Sequence, residues 1–208
     1  MKKIILLYPG GFKPFHDGHL SMLESHISNI DKFYINEVDI IISNKSRDNL
    51  TAETTSWFLN ILKKNIEIYY NVKINVIISD IPSPIGKCYS IVNNDIDGNL
   101  YCLITSNKDN DLIRKLDFVH NYQKDGKYYN NETGEKTVFI NADIEPVIYK
   151  YRDDEYNNEN ISSTIIRNDI KNNSYKLFRT GYMNMLSKQY ITENILKLYF
   201  KKLLKEIS

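Results

Sequence analysis

No apolar run in these 208 residues approaches the roughly 20 that a membrane-spanning helix needs. The apolar opening, Ile4 to Tyr8, stops at Pro9 and is too short for the hydrophobic region of a secretory leader. No membrane partner and a cytoplasmic setting are therefore expected. Cysteine is scarce: Cys88 and Cys102 have neither CxxC nor metal-ligand spacing, which argues against a disulfide framework and for two reduced thiols. Net charge is also missing, because 27 Lys and Arg oppose 26 Asp and Glu to leave +1. Such a balance offers no global field to a polyanion and disfavours nucleic acid as a partner, yet a small anion can still bind at a local site. Repeats and long linkers are absent too, so one domain over residues 1–208 is expected.

What is present is an alternation of apolar runs and helical patterns, as in a parallel sheet with crossover helices. Strands are expected at Ile4–Tyr8, Val38–Ser43, Lys73–Ser79, Leu100–Ile104 and Pro146–Tyr149. Between them, Leu20, Leu23, Ile27 and Ile30 recur at helical spacing, and Thr51 can cap a helix whose stripe is Trp57, Phe58, Ile61 and Leu62. A short helix is expected over Ile85–Val92, after Pro82 and Pro84. From about residue 119 to 140 the turn signals Lys124-Asp125-Gly126-Lys127 and Glu132-Thr133-Gly134-Glu135 suggest inserted hairpins. Ser162 or Ser163 then caps a helix carrying Ile165, Ile166 and Ile170, and a helical extension at about 182–208 ends in an amphipathic helix from Thr192 to Glu206. The expected fold is α/β: a Rossmann-like, doubly wound, parallel five-stranded sheet with an inserted hairpin region and a C-terminal helix.

Directly behind the first strand stands Gly10-Gly11-Phe12-Lys13-Pro14-Phe15-His16-Asp17-Gly18-His19. A strand, a glycine turn, two imidazoles and a helix N-terminus meet where an α/β sheet offers backbone N–H groups to phosphate. A second segment, Ile161-Ser162-Ser163-Thr164-Ile165-Ile166-Arg167, opens the later helix.

These two segments resemble the signatures of the HIGH nucleotidyltransferases, the superfamily of the nicotinamide mononucleotide and phosphopantetheine adenylyltransferases and the cytidylyltransferases. The resemblance implies nucleotidyl transfer: a substrate oxygen attacks the α-phosphorus of a nucleoside triphosphate and pyrophosphate leaves. It implies catalytic roles for Lys13, His16, His19 and Arg167. His16 and His19 would donate N–H groups to the α- and β-phosphates, Arg167 would reach the β- or γ-phosphate as a planar fork, and Lys13 would reach either substrate. Gly10, Gly11, Phe12, Gly18, Ser162, Ser163 and Thr164 would bind the nucleotide, the glycines by close backbone approach and the Ser-Thr pair at a helix N-terminus. Mg²⁺ is expected as a cofactor held mainly by the phosphates, with no protein metal cluster.

Residues after the second and fourth strands line the same end of the sheet. Ser43, Lys45 and Arg47 are candidates for the acceptor, Trp57 for stacking on an acceptor ring, and Ser106 and Asp109 for the nucleotide. Expected partners are a nucleoside triphosphate and a phosphorylated small-molecule acceptor, with a homo-oligomer left open. ATP is favoured over CTP, because Asn157 to Asn160 stand where the cytidylyltransferase pattern has Arg-Thr and Gly. The alternatives are a CTP-using cytidylyltransferase and a non-catalytic nucleotide-sensing protein on the same fold. Met185-Leu186-Ser187-Lys188 resembles the lysine loop of class I aminoacyl-tRNA synthetases, and is read as coincidence.

Overall fold

A computed structural model describes residues 3–29, 35–97, 99–105 and 161–208, together with the backbone of short strands at 123–124, 127–128 and 137–140. β1 (Ile4–Gly10), β2 (Ile35–Ile42), β3 (Lys73–Ile78) and β4 (Leu100–Leu103) form a parallel sheet in the order β3-β2-β1-β4. The continuous apolar run of β1 is explained by burial on both faces. Ile4, Leu6 and Tyr8 point into one core, while Ile5 and Leu7 point into another with Ile41, Tyr101 and Leu103. The alternation is the two-residue period of a strand.

The smaller core is closed by α3 (Pro84–Asn93), through Cys88 and Val92. The larger is covered by α1 (Asp17–Asn29), α2 (Ala52–Tyr70), α4 (Ser163–Lys171), α5 (Tyr175–Thr180), α6 (Met183–Ser187) and α7 (Glu193–Ile207). Helices thus lie on both faces, as a doubly wound sheet requires. The caps are those the sequence offers: Thr51, Ser162 and Thr192 accept from the amides of Thr54, Ile165 and Ile195, each worth about 1 kcal/mol. Of two short helices, α6 lies in the extension expected at about 182–208, whereas α5 precedes it in a stretch for which no element was expected.

Two expectations shift. The strand β2 begins at Ile35 rather than Val38, because Ile35 and Glu37 already pair with Ile4 and Ile5. In the hairpin region, β5 (Gln123–Lys124) and β6 (Lys127–Tyr128) do pair antiparallel, but β7 (Thr137–Ile140) instead runs parallel beside β4. The run expected as the fifth strand, residues 146–149, lies outside the described residues. Among the described residues no helix is long and apolar enough to cross a membrane.

The strand order places β1 at the switch point, where the chain has moved out to β2 and β3 on one side and then returned to β4 on the other. Ligands bind outside the carboxyl ends of strands at such a point. Both sequence segments are delivered there.

Candidate active site

His16 is the N-cap of α1. Its carbonyl accepts from the amides of His19 (2.9 Å) and Leu20 (3.1 Å), and its ring Nδ1 accepts from the Gly18 amide at 3.1 Å. His19, three residues on, turns its own Nδ1 back to the His16 amide at 3.3 Å. This is a capping box in which two imidazoles replace the usual hydroxyl and carboxylate. It also fixes chemistry. A ring nitrogen that accepts a backbone N–H carries no proton, so each neutral imidazole keeps its proton on Nε2. The rings lie 3.9 Å apart between centroids.

An aromatic cup holds His19. Phe15 stacks on it at 5.3 Å, Phe12 meets it edge-on at 5.1 Å, and the Tyr8 hydroxyl donates to its carbonyl at 3.0 Å. Burial drives its pKa down to about 3, so at neutral pH it is an uncharged N–H donor. Gly18 gives this fold-back room: a Cβ there would lie 3.0 Å from His16 Cε1, and the ring would have to give by a few tenths of an ångström. Gly10 is required by its neighbour, since a Cβ would come 2.5 Å from the Phe12 ring. Gly11 has open space around it. Phe12, with φ at 49°, buries its ring against Tyr8 and His19 and supports the imidazole from beneath.

The second segment packs onto this loop. Ser162 spends its hydroxyl capping α4, Ser163 Oγ donates to the Pro14 carbonyl at 3.3 Å, and the Ser163 and Thr164 amides head the helix. Arg167 is turned away from solvent. It is 4% exposed, and its guanidinium turns inward: Nη1 donates to the Lys13 carbonyl and Nη2 to Thr164 Oγ1, both at 3.0 Å. Its Nε lies 2.5 Å from Asp48 Oδ2, close as charges although off the line of an aligned hydrogen bond. The fork therefore ties α4 to the glycine loop and to the turn after β2. Burial lowers its pKa, as does the nearby Arg47, while Asp48 opposes both.

Lys13 is buried as well. Its ammonium donates to the Ser43 carbonyl at 2.5 Å and also to the Lys45 carbonyl. Burial lowers its pKa against the raising effect of Glu53. It works as a bracket joining the glycine loop to the β2–α2 loop. Ser43 Oγ is spent on the Pro82 carbonyl and the Lys45 amide, both at 3.3 Å, whereas Lys45 and Arg47 stand exposed on the rim. Trp57 packs 6.3 Å from Tyr199 with the Lys202 ammonium 4.9 Å from its ring, in the α2–α7 contact. Ser106 and Asp109 lie outside the described residues. Lys188 pairs with Glu24 at 2.8 Å, which gives the synthetase-like tetrapeptide a structural occupation.

Sequence reasoning missed Asp17. Fully buried, its carboxylate accepts from the amides of Asn184 (2.6 Å) and Met185 (3.1 Å), capping the C-terminal α6. The residue between the histidine and the glycine thus anchors the loop to a segment 167 positions away. Asp48 was missed too.

A parallel sheet with its switch point at β1, an imidazole pair on the loop behind it and a Ser-Ser-Thr helix start packed on that loop together make a site similar to that of the HIGH-motif nucleotidyltransferases. Among curated proteins it is similar to the phosphopantetheine adenylyltransferase of Mycoplasma mycoides subsp. mycoides, 29% identical over 161 residues that cover 77% of this chain and 92% of the relative. The phosphopantetheine adenylyltransferase of Mycoplasma capricolum subsp. capricolum is 28% identical over 168 residues, covering 78% and 94%. No family model matches the chain.

Proposed function

We propose that this chain, as one catalytic domain, transfers an adenylyl group from ATP to a phosphorylated small-molecule acceptor and releases pyrophosphate, and that the acceptor is phosphopantetheine. The adenylyl group and the acceptor come from what the two relatives are named for. The observation that carries the chemistry is the imidazole capping box. Two Nε2–H donors, uncharged and fixed by backbone bonds, stand beside the helix start of Ser163 and Thr164.

In-line transfer at phosphorus asks little covalent work of a protein; it needs the reactants aligned and the charge building on phosphate oxygens met by preorganised donors. His16 and His19 would meet the α- and β-phosphate oxygens from one side, as the catalytic pair. The Ser163 and Thr164 amides would meet the polyphosphate from the other, favoured by the helix dipole. Gly10 and Gly11 would leave backbone near the nucleotide, Lys13 would hold the acceptor-side loop in place, and Lys45 and Arg47 would face the acceptor phosphate. Among the described residues no three His, Cys, Asp or Glu side chains come together as metal ligands, and Asp17 and Asp48 are engaged with amides and cations. Mg²⁺ would ride on phosphate oxygens and water as a counter-ion, where it would neutralise charge on the leaving pyrophosphate.

The test is pyrophosphate release from ATP or CTP, with Mg²⁺, in the presence of phosphopantetheine or other phosphorylated acceptors. Release that needs ATP and phosphopantetheine together is expected. Release with CTP alone among the nucleotides would overturn the adenylyl assignment. Nucleotide binding without release for any acceptor would favour the sensing protein instead.

A further inference from the structure

We propose that Asp48 is an internal counter-ion, a positioning residue that competes with the nucleotide's polyphosphate for Arg167. The inference rests on the nucleotidyltransferase reading above. The geometry begins in the backbone. Arg47 and Leu50 exchange both hydrogen bonds, 3.2 and 3.0 Å, across a two-residue turn whose central residues, Asp48 and Asn49, sit at φ 50° and 63°. Such a turn favours Gly or Asn and tolerates Asp. The carboxylate placed there is fully used. Oδ2 lies 2.5 Å from Arg167 Nε and Oδ1 lies 3.1 Å from Lys171 Nζ.

The partners of Arg167 are unequal. The Lys13 carbonyl and Thr164 Oγ1 are built into the loop and the helix, whereas the Asp48 side chain is 36% exposed and hangs from a turn. An arginine 4% exposed meets an incoming anion where its cover can move aside, and Asp48 is the exposed partner that can leave. Its surroundings favour exchange. Arg167 and Lys171 flank this one carboxylate, and Arg47 lies near enough to Arg167 to depress its pKa. A polyphosphate delivers more negative charge to the same three cations. Because Asp48 belongs to the β2–α2 loop, the exchange would also release the turn that carries Arg47 and Lys45 on the acceptor rim.

Asp48→Asn removes the charge and keeps a residue suited to the turn, and Asp48→Gly keeps the turn at no steric cost. Glu53→Gln is the control, since Glu53 is an exposed acid of the same region that acts on Lys13 and not on Arg167. Calorimetric titration with inorganic tripolyphosphate and with ATP, at fixed ionic strength, reads the outcome. Both Asp48 variants are expected to bind each ligand about three- to tenfold more tightly than the wild type, with Glu53→Gln unchanged. Equal or weaker binding by both Asp48 variants overturns the proposal, because Asp48 would then hold Arg167 for the ligand rather than from it. An equal gain in Glu53→Gln overturns it as well, by reducing the effect to general charge. If the wild type and all variants bind neither ligand, the underlying nucleotide reading fails, a result distinct from unequal or reversed affinities.

Discussion

The two sides of this site hold their donors by opposite means. On the glycine-loop side, His19 is neutral and wedged among aromatic rings, His16 lies against it, and both are locked by backbone amides. On the α4 side, Arg167 carries a full charge in near-complete burial and leans on an exposed carboxylate. Neutral donors cost little to keep dry, so they can be fixed in advance. A buried guanidinium must keep a counter-charge, and a counter-charge can be traded. One side is preorganised; the other is exchangeable.

The sharpest way to break this contrast is His19→Ala. It removes an Nε2–H donor together with half of the capping box. The rate of pyrophosphate release is expected to fall about 10²- to 10³-fold, the usual loss for a donor to transition-state charge. An unchanged rate would remove His19 from the chemistry. Gly18→Ala asks whether the box itself matters while both imidazoles stay. The added methyl would push against His16 at 3.0 Å, so kcat should drop about tenfold while the melting temperature moves little. Full activity would mean that the His16 ring is free to take another orientation.

Arg167→Ala tests the other side, and its main effect should be on stability. The Lys13 carbonyl and Thr164 Oγ1 lose their donor inside the protein, at about 1–3 kcal/mol for the buried group left unmade. Urea unfolding measures it, and a loss near zero would mean that water replaces the guanidinium without cost.

The same contrast explains what could be read from the chain. The strand of β1, the stripe of α2 and the caps Thr51, Ser162 and Thr192 follow from neighbours within a few residues, and they were legible. So was the meeting of two phosphate-binding segments at one sheet end. The partners that set the behaviour of each side were not. Asp17 reaches Asn184 across 167 positions, and Asp48 reaches Lys171 across 123. Nothing local marks a carboxylate as the mate of a distant amide or cation. Arg167 could be read only as a fork, since the sequence does not say which way a fork faces. Trp57 lies on a helix next to the rim, but its orientation follows from packing against Tyr199. Two signals did go unread: the three-residue spacing of His16 and His19 matches a capping box, and the Asp48-Asn49 pair matches the residues a left-handed two-residue turn favours.

Acid should separate the two sides by the pH at which each gives way. An unfolded histidine takes up its proton near pH 6.5, whereas folded His19 refuses one until about pH 3. Below pH 6.5 the unfolded chain therefore binds more protons, and stability falls as pH falls toward 3, by at most about 1.4 kcal/mol per unit from this residue. Asp48 has the opposite cause and a lower window: Lys171 and then the Arg167 charge hold its carboxyl below the ordinary aspartate range. Its share of stability is present above that range and is lost only as pH falls below it. Urea unfolding of the wild type and of His19→Asn at pH 7, 6 and 5 should show the variant losing less stability per unit. Parallel slopes would mean that His19 protonates in place, and the neutral donor would be lost from the comparison.

The smallest expected effect concerns a residue that belongs to neither side. Trp57→Phe keeps an aromatic ring against Tyr199 but gives up the larger indole under Lys202. A conservative change in a half-buried contact should cost under about 1.5 kcal/mol. The KM for the acceptor should not move, since the α2–α7 contact touches no part of the rim. A several-fold rise in that KM with unchanged stability would put the ring back at the acceptor, and would show that the rim extends over α2 beyond the turn that Asp48 holds.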